Sequence, residues 1–411
     1  MSSTATATLN TAPALEVTRP ARILSVDMLR GITIALMILV NDPGDWGHTF
    51  SQLDHSPWNG WTLTDVVFPM FLFLVGASTV FSLEARERKG DCKKTLAGHI
   101  FWRALKLFLL KTALSLIPLF HWHTMRIYGV LTRIALCYLL AGLLLLTTRR
   151  VRVLLAIVAV LLVGYWVLLR WVSVPGAGMP VRDFPLLDRV QNLTAWMDRG
   201  FSAWTLKWLH TGALYLKTSD PEGGLSTLPA LATTLLGAVA GLLMRRPEWA
   251  EGAAKRNAMR NGMIAFGGLL FLGGSVWARW FPVNKNLWTS TFVLVMAGIS
   301  MVLLALFNWL VDGRAKPWPK WLEWATWPWF MFGANAIAAY TTSVVLVKTF
   351  STIKIATADG HQRSLWSLAY EHGFARGHST EWTSLAFAVT FVAICFLPNW
   401  WLWRKKIFWK I

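Results

Sequence analysis

A short polar stretch, residues 41–61, carries the side chains best suited to acid–base chemistry in this sequence. It has two histidines, His48 and His55, among three aspartates, and it contains no lysine or arginine. Histidine accepts protons near neutral pH, and neighbouring carboxylates raise its basicity and fix its tautomer. At the start of the stretch, Asn41 can donate a hydrogen bond to a carbonyl oxygen. Since polar loops with histidine are usually just solvated, the residues alone favour that simpler interpretation.

Two acidic residues, Asp27 and Asp65, lie within apolar stretches, where ionisable side chains are costly and often functional. Asp27 is close to Arg22 and Arg30, which fits either an ion-paired helix start or a part in cofactor binding. Asp65 lies in the first turn of an expected helix. It can stabilise that helix start together with the neighbouring threonines, or it can take part in chemistry.

Four basic residues of the third and fourth apolar stretches form a possible anion site. Arg103 and Lys106 are spaced i and i+3, which places them on one helix face, where they reach either lipid phosphates or a cofactor. Lys111 and Arg133 lie deeper, where an unpaired charge is expensive. Because no acidic residue of the spans is left to pair with both, we expect a phosphate or a pantetheine amide as their partner.

Other residues that often carry chemistry give weaker indications. The three cysteines, Cys92, Cys137 and Cys395, have no spacing typical of a disulfide framework or a metal site. His121 and His123 could share a metal only with further ligands, and none is identified. We therefore predict no metal centre. No glycine-rich nucleotide-binding motif is present either.

These residues must be positioned by helices within a membrane. Of the 411 residues, 55% are hydrophobic and 15% are charged, whereas a soluble domain has about 25% charged residues. The 26 tryptophans suit a protein with many membrane–water interfaces. We predict an all-α membrane protein, a bundle of about ten transmembrane helices. The expected spans are residues 23–40, 62–82, 104–120, 128–148, 153–172, 226–244, 262–281, 289–310, 328–347 and 382–403, with Pro69 and Pro328 as possible breaks.

The distribution of charge predicts the orientation of this bundle. The loops on the side of the termini hold 24 lysines and arginines, and those on the other side hold 11. The positive-inside rule therefore places both termini in the cytoplasm. With 8 acidic residues on the inner side and 11 on the outer side, the inner face has a net charge of +16 and the outer face is neutral. The basic excess therefore belongs to the cytoplasmic surface, and no feature is left to indicate nucleic-acid binding. We expect residues 1–20 to be a disordered cytoplasmic tail and 21–411 a single transmembrane domain with outer loops 41–61, 171–225 and 348–381.

Seven stretches, in order from the first span to the last residue, resemble the heparan-α-glucosaminide N-acetyltransferase family, specifically its bacterial members. They are SVDMLRG (25–31), Asn41, HSPWNGWTLTDVVFP (55–69), GVLTRIA (129–135), DPEGGLSTLP (220–229), NKNLWT (284–289) and RKKIFWKI (404–411). Two departures from the lysosomal member are the absence of a large luminal domain and extra span before the first match, and a longer, more acidic loop between Asn41 and His55.

The resemblance implies transfer of an acetyl group from cytoplasmic acetyl-CoA to an amine or hydroxyl of an amino sugar or glycan outside the cytoplasm. The family's active-site histidine corresponds to His55 and its assisting asparagine to Asn41. We expect Asp65 to orient His55 in the manner of the third member of a triad. Whether His55 acts as a general base or forms an acetyl-histidine is left open. The expected acetyl-CoA-binding residues are Arg22, Arg30, Arg103, Lys106, Lys111, Arg133 and Asn286.

These inferences predict a multi-pass protein of the bacterial cytoplasmic membrane, with an active site open to the outside. Its expected partners are acetyl-CoA, the glycan or amino-sugar acceptor, membrane lipids and a second copy in a homodimer. One alternative is a transporter or flippase that moves a small solute, although the two halves show no convincing inverted repeat. Another is a polysaccharide O-acyltransferase of a different multi-span class.

Overall fold

The structure, a computed structural model, describes residues 23–246, 252–313, 318–357 and 360–409. In these ranges the regular secondary structure is helical apart from one small hairpin, which confirms the all-α prediction. Arg22 and the predicted tail at 1–20 lie outside the described residues. The helices are α1 Leu24–Asn41, α2 Leu63–Glu87, α3 Lys93–Leu116, α4 Val130–Thr147, α5 Val151–Trp171, α6 Leu193–Leu209, α7 Thr227–Arg245, α8 Ala253–Trp277, α9 Ser290–Phe307, α10 Lys320–Ala334, α11 Ala336–Thr352, α12 Leu365–Tyr370 and α13 Glu381–Arg404.

Seven of these helices are long and apolar enough to cross a membrane: α1, α2, α4, α5, α7, α9 (with the π-helical turn Asn308–Asp312) and α13. The α10–α11 pair, bent by 79°, makes an eighth if it counts as one span. α3 and α8 have 24 and 25 residues, but each begins with a basic, polar segment. The number of about ten spans therefore stays a prediction, as does the cytoplasmic position of the termini.

The centre of the bundle is the contact between α2 and α7, and glycine makes it possible. A Cβ atom added to Gly76 of α2 would lie 1.8 Å from the backbone oxygen of Thr234. One added to Gly237 of α7 would lie 1.8 Å from the backbone oxygen of Phe73. Small residues let membrane helices approach this closely. The helix that begins at the polar loop is thereby fixed to the middle of the bundle.

The two described ends of the chain meet at one end of the bundle, which we call the terminal face. Asp312 accepts hydrogen bonds from the backbone nitrogens of Leu24, at 2.8 Å, and Ser25, at 3.1 Å. Asn335 bonds to the backbone of Ile407 and Trp409 at 3.1 and 2.9 Å. The opposite end, where α1 stops and α2 starts, we call the His55 face.

The break between α10 and α11 lies at Asn335, which is part of neither helix. Pro69 and Pro328, the expected break points, lie inside α2 and α10 instead. At this break the Asn335 side chain binds the C-terminal segment, through Ile407 and Trp409. A proline inside a membrane helix is tolerated because neighbouring groups re-satisfy the freed backbone.

Two long segments predicted as outer loops contain structure of their own. The segment 171–225 holds α6, which begins at an Asn192 cap. The segment 348–381 holds the end of α11, an antiparallel hairpin of strands Lys354–Ala356 (β1) and Gln362–Ser364 (β2), α12 and the π-helical turn Glu371–Ala375. Their short, polar sequences lack the long apolar periodicity that identified the other helices.

Candidate active site

The polar loop between α1 and α2 is clamped onto the connection between α8 and α9. Gly60 donates its backbone N–H to the carbonyl of Val283 at 2.8 Å. The Asn284 amide nitrogen donates to the Asn59 side-chain oxygen at 3.2 Å. These contacts bring together two segments that are more than 220 residues apart in the sequence, and each segment supplies a side chain to the candidate site.

His55 and Asp65 form the centre of this site. The Nδ1 atom of His55 lies 2.8 Å from Oδ1 of Asp65, a carboxylate that is 1% exposed. The other oxygen, Oδ2, accepts hydrogen bonds from the backbone nitrogens of Ser56, at 3.0 Å, and Thr62, at 3.1 Å. Thr62 and Asp65 also form a capping box at the start of α2. Asp65 therefore both caps its helix and holds the imidazole, so the two interpretations of this residue are compatible.

This arrangement assigns the tautomer of His55. An ionised carboxylate can only accept, so Nδ1 carries the hydrogen and donates it to Asp65. The Nε2 atom then keeps the lone pair, which faces the ammonium of Lys285 at 3.0 Å, a donor that can hydrogen-bond to it. The imidazole is about two-fifths exposed, so a reacting group can reach it from outside. A neutral imidazole held in this way can take a proton or attack a carbonyl carbon.

Lys285, from the α8–α9 connection, is the third charged member of the site. Its Nζ atom lies 2.8 Å from Nδ1 and 3.0 Å from Nε2 of His55, and 3.4 Å from Oδ1 of Asp65. Burial lowers the pKa of the Lys285 ammonium, and the carboxylates of Asp65 and Glu222 oppose that shift. This lysine belongs to the NKNLWT stretch, and no role was predicted for it from the sequence. It stands between two asparagines in this stretch, which carries part of the resemblance, and that is the signal that could have identified it.

Asn41, the predicted assistant of His55, occupies the last position of α1 and is exposed. Within the described residues no hydrogen bond joins it to His55. The next residue, Asp42, is a titratable group that the sequence analysis missed, and burial raises its pKa to about 8. His48, the other histidine of the loop, pairs with Asp45 at 2.8 Å and is half exposed. Among the loop residues, the structure thus brings only His55 into contact with both Asp65 and Lys285.

Three of the predicted acetyl-CoA-binding cations lie in the half of the bundle towards the terminal face. Arg30 donates to Oδ1 of Asp27 at 2.7 Å and to the carbonyl of Gly333 at 2.8 Å. These contacts account for the ion-paired helix start. Arg103 lies over the Tyr138 ring at 4.9 Å. Arg103 and Lys106 are both exposed, so an anion outside the bundle can reach their side chains. A role for any of these cations in acetyl-CoA binding stays a prediction.

Arg133, by contrast, is buried near the His55 face, at 1% exposure. Its Nη2 atom donates to the Gly223 carbonyl and to the Ser226 hydroxyl, and its guanidinium lies 4.9 Å from the Trp288 ring. Protein groups therefore make part of the contacts to this guanidinium that we expected a phosphate to make. In the described part of the chain, Nε and Nη1 have no hydrogen-bond partner. Trp288 connects Arg133 to the segment that carries Lys285.

Lys111 lines a cavity of about 580 Å³ together with Arg126, Tyr128, Tyr340 and Lys348. The ammonium of Lys111 is buried and has no hydrogen-bond partner among the described residues. Since the cavity is also lined by the loop that follows α3, it opens on the His55 face. A buried cation without a partner favours a ligand that can accept a hydrogen bond or carries negative charge.

Asn286 follows Lys285 in the α8–α9 connection and is half-buried. Its position is beside the His55 site rather than near the exposed cations of α3. A role for Asn286 in acetyl-CoA binding stays a prediction.

Comparison with known families bears on this region directly. A family model described as "Heparan-alpha-glucosaminide N-acetyltransferase, catalytic" matches residues 22–273, which include His55, Asp65, Lys111 and Arg133. The chain belongs to the heparan-alpha-glucosaminide N-acetyltransferase family. This membership confirms the resemblance seen in the ordered motifs. Lys285 and Asn286 lie beyond the matched residues.

Two curated members of the heparan-alpha-glucosaminide N-acetyltransferase family align with nearly the whole chain. The human protein named heparan-alpha-glucosaminide N-acetyltransferase is 27% identical over an aligned length of 433 residues. The mouse protein of the same name is 25% identical over 428 residues. Each alignment covers 95% of this chain and 60% of the relative. The chain thus spans about 60% of the length of these relatives.

Proposed function

We propose that this protein is a membrane-embedded acetyltransferase that uses acetyl-CoA and performs its chemistry at His55. The observation that carries the proposal is the contact between His55 and the buried Asp65 carboxylate, at 2.8 Å. Both residues lie within the region that matches the catalytic family model. The paired imidazole is the group in this region best suited to activate an amine or a hydroxyl.

In the simplest mechanism His55 is a general base. Its Nε2 atom takes the proton from the acceptor amine or hydroxyl while that group attacks the thioester carbonyl, and coenzyme A leaves as a thiolate that is then protonated. Asp65 holds the imidazole in position and stabilises the imidazolium that forms. The variant mechanism has Nε2 itself attack the carbonyl, which gives an acetyl-histidine that the acceptor then cleaves.

Lys285 has two roles in this proposal. Its positive charge, within 3.0 Å of the ring nitrogens, opposes protonation of His55 before the reaction. As negative charge develops on the carbonyl oxygen or the leaving sulfur, the same ammonium can stabilise it. Asn41 is proposed to donate a further hydrogen bond to the carbonyl oxygen, which requires the thioester to lie between the end of α1 and His55.

The cations of the bundle support a path for acetyl-CoA. The exposed Arg103 and Lys106 can meet its phosphates. Lys111 lies eight residues after Arg103 on α3, a rise of about 12 Å at 1.5 Å per residue. Its side chain lines the cavity on the His55 face. We propose that the pantetheine arm follows this direction, with Lys111 and the unpartnered nitrogens of Arg133 near its acetyl end. The nucleotide would then lie on the cytoplasmic side and the acceptor on the other.

For the acceptor we propose the amine of an amino sugar, with a sugar hydroxyl as the alternative. The name of the human and mouse relatives specifies a glucosaminide. Because this chain spans only part of those proteins, the acceptor is a proposal that rests on family membership rather than on a contact in the structure.

The proposal is tested with purified protein, radiolabelled acetyl-CoA and glucosamine. We expect His55→Ala to reduce acetyl transfer by about 10²-fold or more, while stabilisation of the folded protein by acetyl-CoA is retained. His48→Ala is the matched control and should keep wild-type transfer, because His48 pairs only with a loop aspartate at the surface. Undiminished transfer by His55→Ala would reject the assigned role. A protein that acetyl-CoA does not stabilise, but a transported solute does, would favour the transporter.

A further inference from the structure

A second cavity, of about 1020 Å³, lies where α5 and α8 end, and His55 is not among its lining residues. The segment 181–186 covers one side of it. Its walls include four tryptophans and two arginines from the two helix ends. These are Trp166, Arg170, Trp171, Trp277, Arg279 and Trp280. We call this cavity the α5–α8 cleft.

The positive charge of the cleft is not balanced by the protein. Within the described residues, Arg170 and Arg279 have no carboxylate partner. The guanidinium of Arg170 makes a cation–π contact with the Trp171 ring, at 5.6 Å from the ring centroid. A third arginine, Arg182, is neutralised by Asp183 at 2.9 Å. Two guanidinium groups that face one cavity without partners favour an anion with several oxygen acceptors, such as a phosphate.

The two helices carry the same pattern below these arginines. On α5, Val160, Val163 and Val167 are 71%, 48% and 39% exposed. They precede Arg170 by ten, seven and three residues, which places all four on one helix face. Only 22% of the most apolar stretch of α5 is buried. The exposed valines therefore form an apolar stripe that leads to the arginine.

On α8, Leu269, Leu272 and Val276 are 67%, 60% and 51% exposed. They precede Arg279 by the same ten, seven and three residues. The ends of the two helices approach each other at the cleft, where Trp166 of α5 packs edge-on against Trp277 of α8 at 5.6 Å between ring centroids. Tryptophans at the ends of membrane helices lie at the level of the lipid headgroups.

We propose that the α5–α8 cleft binds the headgroup of an anionic phospholipid in the leaflet of the His55 face. Arg170 and Arg279 hold the phosphate from two sides, and the acyl chains lie along the two exposed apolar stripes. A free phosphate would use the same arginines but would gain nothing from the stripes, which is why we assign a lipid. This inference does not depend on the proposed acetyl transfer.

Taken singly, each arginine is explained by ordinary snorkelling, in which the guanidinium reaches up to the lipid phosphates. Snorkelling predicts weak contacts that do not distinguish one lipid from another. A cleft that holds one phosphate between two helices predicts saturable binding that discriminates between headgroups. The experiment therefore measures selectivity and stoichiometry, and not only the presence of lipid.

The test uses the full-length protein in detergent, with dioleoylphosphatidylglycerol, dioleoylphosphatidylcholine and soluble glycerol phosphate as probes. Native mass spectrometry counts bound molecules, and thermal melting reports stabilisation. We expect one phosphatidylglycerol to be retained at least tenfold more strongly than phosphatidylcholine. Arg170→Gln with Arg279→Gln should abolish that preference, and Arg170→Lys with Arg279→Lys should keep part of it. Arg152→Gln with Arg376→Gln removes the same charge elsewhere and should change nothing.

Three outcomes would overturn the proposal. Equal retention of the two lipids by the wild-type protein would show that the cleft does not select an anion. If the variant with Arg170→Gln and Arg279→Gln still prefers phosphatidylglycerol, the lipid site lies elsewhere on the protein. Stabilisation by glycerol phosphate equal to that by the lipid would assign the cleft to a free phosphate. Because the Lys pair keeps both charges, it shows whether a loss in the Gln pair arises from misfolding.

Discussion

The Nζ atom of Lys285 lies 2.8 Å from Nδ1 of His55, although the two residues are 230 positions apart. The ammonium also lies 3.4 Å from Oδ1 of Asp65, so an imidazole, a carboxylate and an ammonium are in mutual contact. In the proposed mechanism the carboxylate favours a charged imidazole and the ammonium disfavours it. The predictions for this site follow from the balance of these two charges.

The Asp65→Asn variant should separate the two roles of Asp65. An amide cannot stabilise the imidazolium and can hold the wrong tautomer, so we expect acetyl transfer to fall by about 10²- to 10⁴-fold. The control is Thr62→Ala, which removes a capping side chain but not the contact with His55 and should cost about 1 kcal/mol of stability. Transfer rates and melting temperatures measured on both variants distinguish the role of Asp65 in acetyl transfer from its role as a helix cap. An Asp65→Asn enzyme no slower than Thr62→Ala would leave Asp65 with capping alone.

Substitutions of Lys285 should change the pH dependence of the reaction. Because Lys285→Met removes a positive neighbour, the acid limb of the pH–rate profile should move to higher pH, and the rate should fall by about 10- to 100-fold. Burial lowers the pKa of Lys285, so its charge is lost at a lower pH than for an ordinary lysine. Lys285→Arg keeps its charge and should extend activity to higher pH. If neither the acid limb nor the alkaline limb of the pH–rate profile moves in these variants, an electrostatic role for this ammonium is excluded.

Asp198 should make the stability of the protein depend on pH. Burial raises the pKa of this carboxyl to about 7, above its ordinary value of 3.8. The folded state therefore binds the proton more tightly, and stability falls as the pH rises from about 4 to about 7. Melting curves at pH 5 and pH 8 should differ by a smaller amount in Asp198→Asn than in the wild type. Asp91→Asn, in a turn next to α3, is the control and should keep the wild-type difference.

The α2–α7 contact should not tolerate Gly237→Ala. The added Cβ atom would meet the Phe73 backbone oxygen at 1.8 Å, so the two helices must separate. We expect a loss of stability of about 1–3 kcal/mol, typical of overpacking. Gly268→Ala on α8 is the matched control, because a Cβ there meets nothing within 4 Å. If both variants melt at the wild-type temperature, the close contact between α2 and α7 is wrong.

Apolar length was enough to locate most of the helices. Each of the ten predicted stretches overlaps a helix of the structure. The starts of α3 and α8 were placed 11 and 9 residues too late, because their first turns are basic and a hydropathy criterion ends where charge begins. The bend at Asn335 could not be predicted, since it depends on contacts with Ile407 and Trp409.

The candidate site was predictable where its residues are close in sequence. His55 and Asp65 are ten residues apart, and their motif indicated a pair. Lys285 was missed because its approach is a product of tertiary packing, through Gly60 on Val283 and Asn284 on Asn59. The neutral partners of Arg133, Gly223 and Ser226, were missed because a search for ionic partners passes over a carbonyl and a hydroxyl.

The clamp between the α1–α2 loop and the α8–α9 connection has a consequence for biosynthesis. A nascent chain that has emerged only as far as residue 273 would already possess the histidine and its carboxylate, but not the lysine that completes the trio. In the proposed mechanism, enzymatic competence would then arise late, once α9 has been inserted and the segment preceding it has folded back over the first loop. Ribosome-arrested chains ending on either side of Lys285 would reveal this step.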